Sequence, residues 1–165
     1  MDAGSGRVRV LGAQGEVDID AGSGPIEVRD LDARSFRVDG GSGDITGTNV
    51  KAESVALDLG SGSTRLARLS AKGVSVDAGS GGVDLDFVDD VDDVRIDVGS
   101  GNVTLRIPPS LGAGIEVDTG SGGIETDIPI QVTRRDRDGL TGRIGDGRGR
   151  IEIEGGSGRV RLLKN

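Results

Sequence analysis

Eight acidic residues recur at one fixed place in this chain. Asp2, Asp20, Asp39, Asp58, Asp77, Asp97, Asp118 and Glu154 each stand two positions before a Gly-Ser-Gly triplet. A regular series of carboxylates suggests three kinds of chemistry. Paired carboxyls can share acid–base work, but one must be made different from its partner by its surroundings. A uniform series offers no such difference, so no catalytic residue is assigned. Calcium takes several oxygen ligands, carboxylates among them. On that reading Asp39, Asp58, Asp77, Asp97 and Asp118 are the candidate ligands, although the Gly-Gly-x-Gly-x-Asp nonapeptide of calcium-binding β-rolls is absent. The third reading is local. An Asp side chain can accept backbone amides two or three residues on and close an Asx-turn, which would explain why the acid recurs in every unit.

Other chemistry is excluded by what the chain lacks. It has no His, Cys, Trp or Tyr. Zinc sites and thiol or imidazole catalysis are therefore out. Stacking platforms for bases are missing too, since Phe36 and Phe87 are the sole aromatics. The net charge of −8 argues against a nucleic-acid backbone or an anionic membrane as partner. No segment approaches the ~20 apolar residues that span a bilayer. Apart from calcium, no cofactor is expected.

The elements that position the acids follow from the triplets. These begin at Gly4, Gly22, Gly41, Gly60, Gly79, Gly99, Gly120 and Gly156, with gaps of 18, 19, 19, 19, 20, 21 and 36 residues. Such a period marks an array of one small unit. Each triplet is followed by alternating apolar residues, as in Val8 and Val10, Ile26 and Val28, Val83 and Leu85, Val103 and Leu105. A further apolar position holds Leu31, Val50, Leu69 and Val88, and a small one holds Ala33, Ala52 and Ala71. A second alternating pair closes the unit: Phe36 and Val38, Val55 and Leu57, Val74 and Val76. Period-two alternation is the mark of a half-buried strand, and no helical period occurs.

One unit cannot bury its own apolar face, so the units must stack. The expected fold is all-β: a parallel β-solenoid, or single-stranded β-helix, with about 19 residues per coil and eight to nine coils. A right-handed winding is expected by analogy with most parallel β-helices. The triplets are expected at tight corners, where glycine adopts positive φ and serine bonds to local backbone or to the next serine. Alternation turns Val38 inward and Asp39 outward, so the acids form a column ~5 Å apart, each pair repelling by about 1 kcal/mol in water.

The pattern breaks twice. The bend from Asp86 to Val94 is acidic, with Asp86, Asp89, Asp90, Asp92 and Asp93. The segment 129–143 reads as an irregular coil, with Arg134-Arg135-Asp136-Arg137-Asp138 looped out. Gly139 and Gly142, then Arg143 and Ile144, read as a degraded corner and strand that would fill the 36-residue gap. Residues 1–165 form a single solenoid domain on this reading. Met1 lies already inside a repeat, so the chain reads as lacking the natural N-terminal part of that domain.

Several segments resemble a bacterial family of adhesin-like β-strand-repeat proteins of unknown function. They are Asp118-Thr119-Gly120-Ser121-Gly122-Gly123-Ile124-Glu125-Thr126-Asp127-Ile128-Pro129, Gly139-Leu140-Thr141-Gly142-Arg143-Ile144-Gly145-Asp146-Gly147, and Gly156-Ser157-Gly158-Arg159-Val160-Arg161-Leu162. The resemblance implies a β-solenoid at the cell surface or outside the cytoplasm, and it carries over no catalytic residues. No secretion signal is visible in this chain.

The leading functional expectation is a non-catalytic structural or interaction module with a protein or cell-surface partner. Self-association through the solenoid ends is the second, since a stack exposes unpaired strand edges. A pectin-cleaving β-helix enzyme would need longer loops and sugar-stacking aromatics. Ice binding would need a column of Thr pairs, and Thr46 with Thr48 is the only such pair.

Overall fold

The computed structural model describes residues 1–165. The strands are β1 (Asp2–Ala3), β2 (Val8–Leu11), β3 (Gln14–Ala21), β4 (Ile26–Gly40), β5 (Ile45–Leu59), β6 (Thr64–Ala78), β7 (Val83–Phe87) and β8 (Asp93–Val98). They continue as β9 (Val103–Ile107), β10 (Ala113–Thr119), β11 (Ile124–Thr126), β12 (Gln131–Arg135), β13 (Gly139–Ile144), β14 (Gly149–Gly155) and β15 (Val160–Lys164). All belong to one sheet wound upon itself as a parallel β-solenoid. One wall carries the acids and is built from β1, β3, the later halves of β4 to β6, then β8, β14 and β10. The second wall is built from β2, the earlier halves of β4 to β6, then β7, β9, β15 and β11.

The alternating residues fill the space between the walls. Val38 pairs with Leu57, Leu57 with Val76 and Val76 with Ile96, each in register. All four are buried, as are Phe36 and Phe87. Each such side chain contributes about 1.5–3 kcal/mol over leaving it in water.

Six turns of 18 to 21 residues run between the first seven triplets. The expected eight to nine coils are not reached, because the chain stops climbing after Gly120. It forms the short β11 and then a hairpin, β12–β13, whose inner strand runs antiparallel to β10. The expected corner at Gly139 and Gly142 is therefore a strand instead: Gly142 lies opposite Ile115, and Gly139 opposite Asp118.

The hairpin does not supply the missing coil. That coil comes from the C-terminal segment, which inserts into the stack. β14 lies between β8 and β10, and β15 lies between β9 and β11. The chain makes room by rising two rungs between Ile107 and Ala113, through Pro108, Pro109, Ser110, Leu111 and Gly112.

The corners also differ from expectation. No triplet glycine has positive φ. Four left-handed residues lie eight positions after the first glycine of each of the first four triplets: Gly12 at 62°, Asp30 at 52°, Asn49 at 55° and Arg68 at 57°. In the acidic bend this residue is deleted, and the register shifts between Leu66 and Leu69 against Leu85 and Phe87. Phe87, fully buried, takes the place opposite Leu69 that the spacing gave to Val88. Val88 is 44% exposed, and Val91 is buried in the bend instead.

Candidate functional site: a ribbon of carboxylates

Parity fixes the ribbon. Along the first wall, odd steps from the core residues point outward, so the acid two positions before each triplet faces solvent. The strand register stacks these acids in the order Asp2, Asp20, Asp39, Asp58, Asp77, Asp97, Glu154 and Asp118. All eight are exposed. None makes an ion pair, and none accepts a side-chain hydrogen bond from the protein. The expected Asx-turn is therefore not formed at these positions.

That hydrogen-bonding role belongs to the residue just after the triplet, and it acts between turns. Asp44 Oδ1 accepts the Ser63 amide at 2.8 Å. Ser63 Oγ accepts the Gly82 amide at 3.3 Å, and Asn102 Oδ1 accepts the Arg159 amide at 2.9 Å. Each of these side chains satisfies a strand-start amide in the neighbouring turn, which would otherwise lack a partner. Pro25 in the same column has no N–H to satisfy.

The triplet lies beside the acid as part of the ladder. Ser42 donates its amide to Gly22 O at 3.0 Å, Ser61 to Gly41 O at 3.0 Å, and Ser121 to Gly156 O at 2.9 Å. The second glycine of every triplet after the first packs its backbone on the carbonyl of the equivalent glycine next to it. A Cβ on Gly43 would overlap Gly24 O, and one on Gly158 would overlap Gly101 O. Close approach, and not positive φ, is what requires glycine here. The triplet serines keep their hydroxyls free of protein hydrogen bonds and all are exposed. The expected serine-to-serine bonding is absent. The result is a flat strip with a carboxylate and a hydroxyl on every rung.

Charge is distributed unevenly between the walls. The chain has 28 acidic and 20 basic residues, so removing the eight ribbon acids leaves 20 of each. The whole excess of −8 is thus equal to the charge of the ribbon. On the second wall three carboxylates sit between arginines. Glu27 pairs with Arg9 at 3.0 Å and Arg29 at 2.6 Å, and Glu125 pairs with Arg159 at 3.3 Å and Arg161 at 3.0 Å. Asp84 pairs with Arg65 at 3.5 Å and also with Arg106.

Where the inserted coil joins the stack, the ribbon widens into an open depression of about 520 Å³. Asp97, Glu116, Asp118, Glu152 and Glu154 line it. Glu152 is its most sheltered acid and bridges Arg95 at 3.0 Å and Arg150 at 3.1 Å. Its hydrogen bond and charge push the Arg95 guanidinium above its ordinary pKa. Sequence spacing does not single out Glu116 or Glu152, because their neighbours across the sheet are set by the insertion. Among the proposed calcium ligands, Asp39, Asp58, Asp77 and Asp97 are consecutive rungs, while Asp118 is separated from Asp97 by Glu154. Neighbouring rungs bring two carboxylates together, and no three acids converge on one point.

No curated protein and no solved structure matches the chain. One family model does, over residues 2–163, and its description carries no adhesive role. A parallel β-solenoid and a family match over nearly the whole length agree: the chain belongs to the Toastrack DUF4097 family, a β-solenoid family of unknown function.

Proposed function

We propose that this protein is a non-catalytic interaction module, a right-handed rod of the bacterial cell envelope displayed outside the cytoplasm. The observation that carries the reading is the ribbon: eight unpaired carboxylates in register on a flat, exposed strip, on a chain otherwise balanced in charge. Such a strip suits a partner with cationic groups repeated along a surface. Charges of this kind steer encounter and select partners more than they add affinity. The right hand follows the rule for parallel crossovers within a sheet. The extracytoplasmic placement and the adhesive role rest on the family resemblance.

The test is retention of the full chain on bacterial cells and on an immobilised basic polymer. The triple variant Asp58→Asn/Asp77→Asn/Asp97→Asn is run beside it. The parent should be retained at low salt and released as salt rises, and the variant should bind weakly throughout. Equal retention of parent and variant would sink the reading.

A second reading is self-association at the Met1 end. There β2 pairs only with β4, and β1 covers only Asp20 and Ala21 of β3, so Gln14–Val17 presents a bare edge. On the acidic wall the other end is guarded by β12, an exposed strand with a bulge after Val132 and the charges of Arg134 and Arg135. An open end and a guarded end favour pairs over filaments. Light scattering that grows without limit with concentration would contradict that preference.

Calcium is the third reading. Two carboxylates per gap fall short of the six to eight oxygens calcium takes, so water would complete its shell. A calcium-dependent rise in melting temperature that magnesium does not reproduce, and that the triple variant loses, is the expected sign.

A further inference from the structure

The C-terminal coil is a separate piece fitted into a slot. β14 pairs along one edge with β8, from Arg150–Asp93 to Gly155–Val98, and along the other with β10, from Gly149–Ala113 to Gly155–Thr119. β15 continues the insertion against β9 and β11. Ile151, Ile153, Val160 and Leu162 bring a full set of buried side chains. Gly156 and Gly158 complete the glycine contacts with Gly99 and Gly101. Both walls of the slot precede its occupant in the chain, and they pair with each other only through it.

The segment is tethered by a short linker, Gly145-Asp146-Gly147-Arg148, in which Gly145 and Gly147 hold positive φ at 54° and 71°. Short hinge loops of this kind invite exchange of the element they carry. A second copy of this chain offers the same slot with the same register, and reciprocal exchange closes with two-fold symmetry.

We propose that residues 149–165 are an exchangeable strand insert. The slot between β8–β9 and β10–β11 accepts this segment from its own chain or from a second copy, which makes it a homodimerisation surface.

The test uses the absence of cysteine in the chain. Thr104, on the slot edge, and Arg161, on the inserted strand, are register partners on the second wall. One full chain carries Thr104→Cys and another, of different tagged mass, carries Arg161→Cys. They are mixed at high concentration, warmed, cooled and oxidised. A disulfide dimer of unlike mass should appear. It should be absent when Thr46→Cys, which lies on the same face three rungs away, replaces Thr104→Cys. Thr104→Cys/Arg161→Cys in one chain should close internally in the monomer. No unlike-mass dimer above the Thr46→Cys control, with internal closure intact, overturns exchange. Failure of internal closure overturns the register on which exchange rests. Simple end-to-end pairing leaves Thr104 and Arg161 of different copies apart and gives no such dimer.

Discussion

Glu154 stands one rung from Asp97 in the ribbon, with its strand paired in parallel to a segment 57 residues earlier in the chain. The contact is between like charges, and neither carboxylate has a cationic partner. It repeats along the strip, so the ribbon is a destabilising feature of the free protein. The favourable burial behind it tolerates that cost.

Relieving the repulsion should therefore stabilise the rod. Asp77 has an acid on each side, Asp58 and Asp97. Asp77→Asn should raise the melting temperature by about 2–4 °C at low salt. Added salt of about 0.5 M screens exposed charges beyond a few ångströms, so it should raise the parent more than the variant. Thermal melts at the two salt levels check both statements. A parent that melts lower in high salt would contradict them.

Glycines in the stack should divide sharply by contact. Gly43→Ala places a methyl on the backbone carbonyl of Gly24, which has no flexible end to give way. The expected cost is about 2–4 kcal/mol. Gly123, also beside a triplet, has nothing within 4 Å of its Cβ position. Gly123→Ala should stay within about 0.5 kcal/mol of the parent. Urea midpoints with unchanged slopes would show the difference.

Thr64 has a buried hydroxyl with no hydrogen-bond partner, stacked between Ile45 and Val83. Thr64→Val keeps the shape and removes the unsatisfied oxygen. It should raise stability by about 1 kcal/mol, read from the same urea transitions. A loss of stability would mean that the hydroxyl has a partner in solution.

What could be read from the chain alone depended on parity. Alternation placed Val38 inside and Asp39 outside without any knowledge of neighbours, because side chains in a strand alternate by geometry. Position 88 shows the limit of that argument. Deleting one left-handed residue shifts the parity by one, so Phe87 enters the core and Val88 leaves it. The left-handed corners had a partial signal in Gly12, Asp30 and Asn49, residue types that tolerate positive φ, but Arg68 gave none. The order of the stack was not legible. Gly156–Leu162 has the same local pattern as every other unit, and nothing in it specifies which two rungs it joins. The 36-residue gap recorded that something differed there, without saying that the coil turns back.

The two-rung rise at Pro108–Gly112 also bears on how the molecule is made. The first turns pair with segments about one unit back, so they can assemble as the chain leaves the ribosome. The turn carrying β10 cannot, because its neighbour on the inner side, β14, comes 36 residues later in the chain. Until β14 and β15 have left the exit tunnel, the upper part of the rod lacks the strands that join it to the rest. A nascent chain therefore forms its lower turns before its upper ones are sealed, and the inserted coil is the piece that closes them.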